Sequence, residues 1–327
     1  MKVSCACFIQ YDKPADLESI DFETLPQPVF HIGSGSNLLF TGDFKGTVLH
    51  SAINYIKYFD VGLPEVLVSV GAGVVFDDFV AEVCSHGLWG AENLSMVPGE
   101  VGAAAVQNIG AYGVEAKDII SGVVCYDTVE KKKRTFKTSE CGYGYRSSFF
   151  KEPGNKGRYI VTSVLFRLSR EYSPRLGYQG VTDALGGKQP ETPLQVREAI
   201  MSIRSRKLPD PKKMGSAGSF FKNPIVSKEK FVEIEDIARN RNGVDYAVPH
   251  YCLDNDMVKV PAAWMIDQCG FKGMQEGGAA VYENQPLVLV NFTGNATPSD
   301  VLELERRIIK GVADTFGVEL NPEVEHI

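Results

Sequence analysis

The sequence of 327 residues has no C-x-x-C pair, no H-E-x-x-H and no apolar run of membrane-spanning length. Its seven cysteines are odd in number and scattered, which excludes a disulfide framework or a zinc knuckle and fits reduced thiols in a cytosolic protein. Cys5 and Cys7 alternate in a β-like run, so both are expected on one side of a strand as small hydrophobes. Five dispersed histidines leave a metal site without ligands. No basic-then-apolar segment opens the chain, so neither export nor membrane attachment is expected. Lys and Arg number 34 against 41 Asp and Glu, and a net charge of -7 works against non-specific nucleic-acid binding. Neither G-x-G-x-x-G nor a Walker loop occurs, which argues against a Rossmann or P-loop nucleotide site.

What is present is ordinary globular material, 44% hydrophobic and 23% charged, long enough for two or three domains. Strand-like runs at 4–10, 29–33, 47–50 and 66–70 precede a helical pattern over 76–86, and β-branched and aromatic residues mark further strands at 119–127, 133–137 and 159–169. Thr192 and Pro193 open a helix with apolar Leu194, Val196, Ile200 and Ile203 that ends before Leu208-Pro209. Beyond Asp210-Pro211, helices are expected at 228–239 and 261–269 and strands at 279–282 and 287–291. The last helix is the clearest: Thr297 caps it, Pro298 takes its first position, Asp300 completes a capping box, Val301, Leu304, Ile308, Val312 and Phe316 form one stripe, and Gly317 stops it.

Three glycine-rich loops accompany the early strands: Gly33-Ser34-Gly35-Ser36-Asn37, Gly71-Ala72-Gly73, and 98–113. Glycine lets backbone N–H groups approach phosphate oxygens, although each loop alone is more often a tight turn; three in one domain favour a dinucleotide held by main chain. Arg146, in Tyr143-Gly144-Tyr145-Arg146-Ser147-Ser148, could grip a carboxylate with two parallel hydrogen bonds or simply be solvated. Basic residues crowd into Arg204, Arg206, Lys207, Lys212, Lys213 and Lys222, as a solvated face or an anion site. Ser219, among the small residues of 215–219, lacks a His or Asp partner for a hydrolase, so it reads as a proton donor or a capping serine. Glu323 and Glu325 close the chain; extended backbone would aim both to one side. These residues alone describe an enzyme of mixed helices and strands with a phosphorylated, carboxylate-bearing ligand.

In order along the chain, these segments resemble the UDP-N-acetylenolpyruvoylglucosamine reductase family from about Pro28 to Glu323. The resemblance rests on the Gly33 to Leu39 loop, Pro98-Gly99 through Gln107-Asn108-Ile109-Gly110-Ala111-Tyr112-Gly113, Gly144-Tyr145-Arg146, Lys207-Leu208-Pro209-Asp210-Pro211, Gly218-Ser219-Phe220-Phe221-Lys222-Asn223-Pro224 and Trp264-Met265-Ile266-Asp267-Gln268-Cys269. It implies an α+β fold: a two-part FAD-binding unit of the vanillyl-alcohol-oxidase and cresol-methylhydroxylase type (1–55 and 56–209), a smaller α+β substrate domain (210–318), and a C-terminal segment (319–327) returning to the active site. Non-covalent FAD would then lie against Gly33, Ser34, Gly35, Ser36, Asn37, Leu38, Gly71, Pro98, Gly99, Gly102, Ala103, Ala104, Ile109, Gly110, Gly113, Ile160 and Arg204. Tyr178, in Leu176-Gly177-Tyr178-Gln179, is similar to the tyrosine loop of the longer subtype. It would close over the UDP pyrophosphate alongside Lys207, Asn223 and Gln285.

The same resemblance implies the chemistry. NADPH reduces the flavin and leaves, and the enolpyruvyl ether of the UDP-sugar accepts hydride at its vinyl carbon. Arg146 would stabilise the enolate, Ser219 would deliver the proton, and Glu323, which follows proline as in the family's P-E-V, would take the third catalytic position. A charged carboxylate would repel an enolate, so Glu323 is expected to act protonated. A cytoplasmic monomer is expected. The alternatives are another flavin oxidoreductase of the same fold acting on an alcohol or sugar, and a non-enzymatic UDP-sugar binding protein. The sequence departs from the family in two places. It begins almost inside the first strand, without an Asn-Thr-Phe-Gly-like stretch, and it carries Glu325 where many members are basic.

Overall fold

The computed structural model describes residues 2–62, 64–178 and 180–327, which divide into two compact units. The larger contains Val3–Ser36 and Asp43–Arg206; the smaller contains Lys2, Asn37–Gly42 and Lys207–Ile327. The chain changes unit in the middle of the first glycine loop, between Ser36 and Asn37, whereas the sequence expectation keeps 1–55 together.

In the larger unit, Phe44–Ser51 is the middle strand of a three-stranded parallel sheet, flanked by Cys5–Tyr11 and Val29–Ile32. Cys5 and Cys7 share a face and are half-buried, alternating with exposed Ala6 and Phe8. A five-stranded antiparallel sheet runs Lys132–Lys137, Ile120–Asp127, Tyr159–Ser169, Glu65–Gly71, Ile56–Asp60. Against it pack Phe76, Phe79, Val80 and Val83 of helix Phe76–Ser85, whose i, i+3, i+4, i+7 spacing gathers them on one stripe. Phe79 stacks on Phe166 of the central strand with ring centroids 4.4 Å apart, so truncating it would cost about 3–5 kcal/mol. Tyr11, Leu49 and Ile53 meet Tyr126 and Ile160 in a second core patch that joins the two sheets.

Helix Pro193–Lys207 begins at the expected proline and buries Val196, Ile200 and Ile203 against Trp89 and Val181. Leu194 is off that face, 39% exposed, because it precedes Val196 by two residues rather than three or four.

The smaller unit holds a four-stranded sheet in the order Ser216–Ser219, Val288–Asn291, Ala279–Val281, Gln275–Glu276, and a three-stranded sheet of Ile225–Ser227, Met257–Lys259 and Tyr251–Cys252. Helix Pro298–Phe316 covers the core with the expected stripe. Its capping box is reciprocal: Asp300 N–H donates to Thr297 Oγ1 at 3.2 Å and Thr297 N–H donates to Asp300 Oδ2 at 2.9 Å. Gly317 ends it at φ +61°, a left-handed position that favours glycine. The strand Glu325–His326 pairs in parallel with Leu38–Leu39.

Candidate functional site

In the larger unit, Gly33 leaves strand Val29–Ile32 and the loop continues through exposed Ser34 to Ser36, with Gly35 at φ +71°. Facing it is the turn of Pro98 and Gly99, which leads into helix Val101–Gln107. A Cβ on Gly33 would lie 3.2 Å from Ala103 Cβ, and one on Gly99 would lie 3.1 Å from Ser36 Oγ. The two glycines therefore let two loop backbones approach closely, as a main-chain cradle for a pyrophosphate requires. These residues fit FAD. Glu100, at the start of the helix, is paired through Oε1 with His50 Nε2 at 3.0 Å, so its carboxylate has a partner beside the cradle.

Other glycines expected on the cofactor have a packing reason. A Cβ on Gly71 would fall 2.3 Å from the Ile53 carbonyl oxygen, and one on Gly102 would fall 2.9 Å from Ala72 Cβ. The Gly102 N–H already donates to the Ala72 carbonyl at 2.9 Å. Ala104 and Ile160 are 4% and 2% exposed, with their side chains in the core. These four residues set the position of the loops in front of them.

Helix Val101–Gln107 ends at Asn108, which adopts φ +47° and anchors the chain on both sides of it. Its Nδ2 donates to Glu115 Oε2 at 3.1 Å and to the Gly144 carbonyl at 2.9 Å, while Oδ1 accepts from Lys117 N–H at 3.0 Å. Past Ile109, a two-residue hairpin joins Gly110–Ala111 to Val114–Glu115, with Tyr112 at φ +49° and Gly113 at φ +79°, the signature of a type I′ turn. Arg146 lies at φ +53° in the turn closed by reciprocal Gly144 and Ser147 backbone bonds. Its Nη2 donates to the Gly110 carbonyl at 2.9 Å, and a Cβ on Gly110 would come within 3.0 Å of Nη1. The family resemblance includes Asn108 but gives it no role. The signal in the sequence is an asparagine directly after a short apolar helix, a residue suited to a left-handed cap.

Arg204, on helix Pro193–Lys207, is half-buried: Nη2 donates to the Met96 carbonyl at 3.1 Å, and its buried Nε has no hydrogen-bond partner. Burial raises the Tyr112 phenol, with Arg204 opposing the shift. Tyr112 also meets the Tyr178 ring edge-on at 5.1 Å. Arg204, Tyr112 and Tyr178 thus form one continuous assembly. Gln179 lies outside the described residues.

The smaller unit brings together Ser219, Glu323, Asn37 and the turn that carries Gln285. Ser219 is exposed and pairs with Val288, while the buried rings of Phe220 and Phe221 anchor the chain directly after it. Phe220 N–H donates to the Leu287 carbonyl at 2.8 Å, and the Phe220 carbonyl accepts from Glu323 N–H at 2.8 Å. Asn37 Nδ2 donates to the Glu323 carbonyl at 3.0 Å, and Glu325 N–H donates to the Asn37 carbonyl at 3.1 Å. Glu323 sits in a bend rather than in extended backbone. Leu38 is in the strand paired with Glu325. Asn223 Oδ1 accepts from Ala262 N–H at 2.9 Å and so caps helix Ala262–Gln268. Lys207 ends its helix exposed to solvent. Among the described residues there is no cluster of metal ligands, and no helix is long and apolar enough to cross a membrane.

Residues 22–131 match the family model described as FAD binding domain, and residues 210–327 match that of UDP-N-acetylenolpyruvoylglucosamine reductase, C-terminal domain. The UDP-N-acetylenolpyruvoylglucosamine reductase of Bacteroides fragilis strain YCH46 is 47% identical over 99% of this chain and 95% of its own length. That of Porphyromonas gingivalis strain W83 is 41% identical over 98% of this chain and 93% of its own. The crystal structure of the corresponding reductase from Thermus caldophilus aligns with a TM-score of 0.66 at 25% identity, covering 98% of this chain and 91% of that one. An FAD-binding unit and a smaller α+β reductase domain is the organisation these matches share with the strands and helices above, and the chain belongs to the UDP-N-acetylenolpyruvoylglucosamine reductase family.

Proposed function

We propose that this chain reduces UDP-N-acetylglucosamine enolpyruvate to UDP-N-acetylmuramate for peptidoglycan synthesis, as a cytoplasmic monomer using NADPH. The observation that carries this reading is the Phe220 carbonyl bond to Glu323 N–H, which ties the serine segment to the glutamate segment across a hundred residues of chain. FAD held here would provide the hydride chemistry, passing reducing equivalents from NADPH to the vinyl carbon. The Gly33 to Ser36 and Pro98 to Gly113 backbones would hold it, with Asn37, Leu38 and Arg204 contributing. The sequence segments 1–55 and 56–209 would make its two-part domain, 210–318 the substrate domain, and 319–327 the returning segment.

Arg146 stabilises the enolate that forms when the vinyl carbon receives hydride, through the pair of hydrogen bonds its guanidinium offers a carboxylate. Ser219 donates a proton to the carbon next to that carboxylate, which completes the saturated lactyl ether. Glu323 acts on the same carbanion in its protonated form. Tyr178, Lys207, Asn223 and Gln285 bind the UDP part. Under anaerobic conditions NADPH should bleach the flavin and the enolpyruvyl substrate should restore its colour. Bleaching without recolouring would favour another flavin oxidoreductase, and a colourless protein that binds substrate would favour a UDP-sugar binder.

A further inference from the structure

Asn93 is fully buried, yet it belongs to no strand or long helix and none of the assigned roles uses it. Its side-chain Nδ2 donates to two carbonyls that are far apart in sequence: Tyr112 at 2.8 Å and Arg175 at 2.9 Å. Because both neighbours are carbonyls, the amide orientation is fixed with nitrogen toward them. Its Oδ1 is buried without a hydrogen-bond partner. Leaving a buried acceptor unpaired is unfavourable, so the placement of this residue is not explained by filling its own hydrogen-bonding capacity.

What the two carbonyls have in common explains it. Tyr112 is the first central residue of the type I′ hairpin, at a φ of +49° that a bulky side chain rarely adopts. Arg175 is at the root of the segment that carries Tyr178 three residues later, and the Tyr112 and Tyr178 rings meet edge to face at 5.1 Å. Leu176, between them in sequence, packs against the same apolar cluster as Tyr112, formed by Trp89, Val181, Val196 and Ile200. At its root the segment is also tied by Arg175 Nη1 to Asp118 Oδ2 at 3.2 Å, but that pair is largely exposed and contributes little. Asn93 is the buried, directional link.

We propose that Asn93 is a positioning residue for substrate capture: by holding the Tyr112 and Arg175 carbonyls with one amide, it fixes the root of the Tyr178 loop to the hairpin that also receives Arg146. This rests on the assignment of Tyr178 to the UDP pyrophosphate. A fixed root lowers the conformational freedom that the loop loses when it closes on substrate, and so acts on substrate affinity rather than on the hydride step.

The test compares the FAD-loaded Asn93→Asp, Tyr178→Ala and double variants. Asp has the shape of Asn but replaces the nitrogen that donates to both carbonyls with an oxygen that both repel. Asn93→Asp should raise KM for UDP-N-acetylglucosamine enolpyruvate about tenfold, leave kcat within about twofold and retain flavin, and should add less than about twofold in the Tyr178→Ala background. Should Asn93→Asp not fold, Asn93→Ser, whose shorter side chain carries a single donor and no repelling charge, should give the same pattern at smaller size. An unchanged KM, or a KM effect undiminished in the Tyr178→Ala background, overturns the proposal. If Tyr178→Ala alone leaves KM unchanged, the proposal falls because the Tyr178 assignment is wrong.

Discussion

Asn37 and Glu323 are 286 positions apart in the chain, and the side-chain amide of the first donates to the main-chain carbonyl of the second at 3.0 Å. Glu323 is thus held at both ends of its peptide unit, by Phe220 through its N–H and by Asn37 through its carbonyl. Removing the amide with Asn37→Ala should let the bend at Glu323 relax and lower kcat per bound flavin about fivefold, the size of one net hydrogen bond. Turnover normalised to flavin content checks this. Unaltered turnover would mean that the strand pairing of Glu325–His326 with Leu38–Leu39 is sufficient by itself.

The chemical state of Glu323 is open to a sharper comparison. An amide side chain imitates a protonated carboxyl in shape and in offering a donor, whereas alanine offers nothing. Glu323→Gln should therefore keep at least about tenfold more activity than Glu323→Ala, a general acid or donor being worth roughly a hundredfold or more. Equal losses in the two variants, read from steady-state kcat, would reject the protonated role.

Gly110 sets the seat of Arg146. The guanidinium donates to its carbonyl, and a methyl group on its Cα would come within 3.0 Å of Nη1. That methyl would also lie 3.0 Å from Glu115 Cγ and 3.1 Å from the Val114 carbonyl oxygen; the two side chains can yield, so Gly110→Ala should displace the guanidinium by a few tenths of an ångström, with the Val114 carbonyl giving slightly. We expect about a tenfold fall in kcat/KM from misplaced charge stabilisation, with flavin content unchanged, while Arg146→Lys, which lacks the planar fork, should lose about a hundredfold. Kinetics together with the flavin absorbance of the purified variants separates these effects from loss of cofactor.

The parts of the fold legible in the sequence are those where local chemistry and tertiary burial agree. Helix Pro298–Phe316 has its cap, its stripe and its stop written between Thr297 and Gly317, and the strands Glu65–Gly71 and Tyr159–Ser169 advertise themselves by β-branched and aromatic runs. Helix Val101–Gln107 is hidden inside a glycine and alanine run because such a run reads equally as loop; only its packing on Ala72 and the left-handed Asn108 decide it. The strand Ile56–Asp60 is an edge strand with exposed Tyr58 and Phe59, and shows no burial alternation to find. Within the site, residue types gave Arg146 and Ser219 a chemistry, but Asn93 acts through backbone carbonyls of segments distant in sequence. No local spacing reveals such a contact.

A final expectation concerns pH. Glu305, on the buried side of helix Pro298–Phe316, is pushed by burial from an ordinary value of 4.5 up to about 7. His326 Nε2 stands 3.2 Å from its Oε2 but does not line up for a hydrogen bond, and burial lowers the imidazole. A carboxyl whose value is raised in the folded state holds its proton more tightly there than in the unfolded chain. Its contribution is therefore intact below 4.5 and is lost as pH rises toward about 7. The His326 imidazole behaves in the opposite way: its lowered value costs stability as pH falls below 6.5. Both proteins in a comparison of the native chain with Glu305→Gln carry His326, so the difference between them isolates the carboxyl. Urea midpoints measured from about pH 5 to about pH 8 should show the variant growing more stable relative to the native chain as pH rises, with the difference levelling above the folded value. A difference independent of pH would mean that Glu305 titrates as it does in water, and that the C-terminal strand shields it less than its burial indicates.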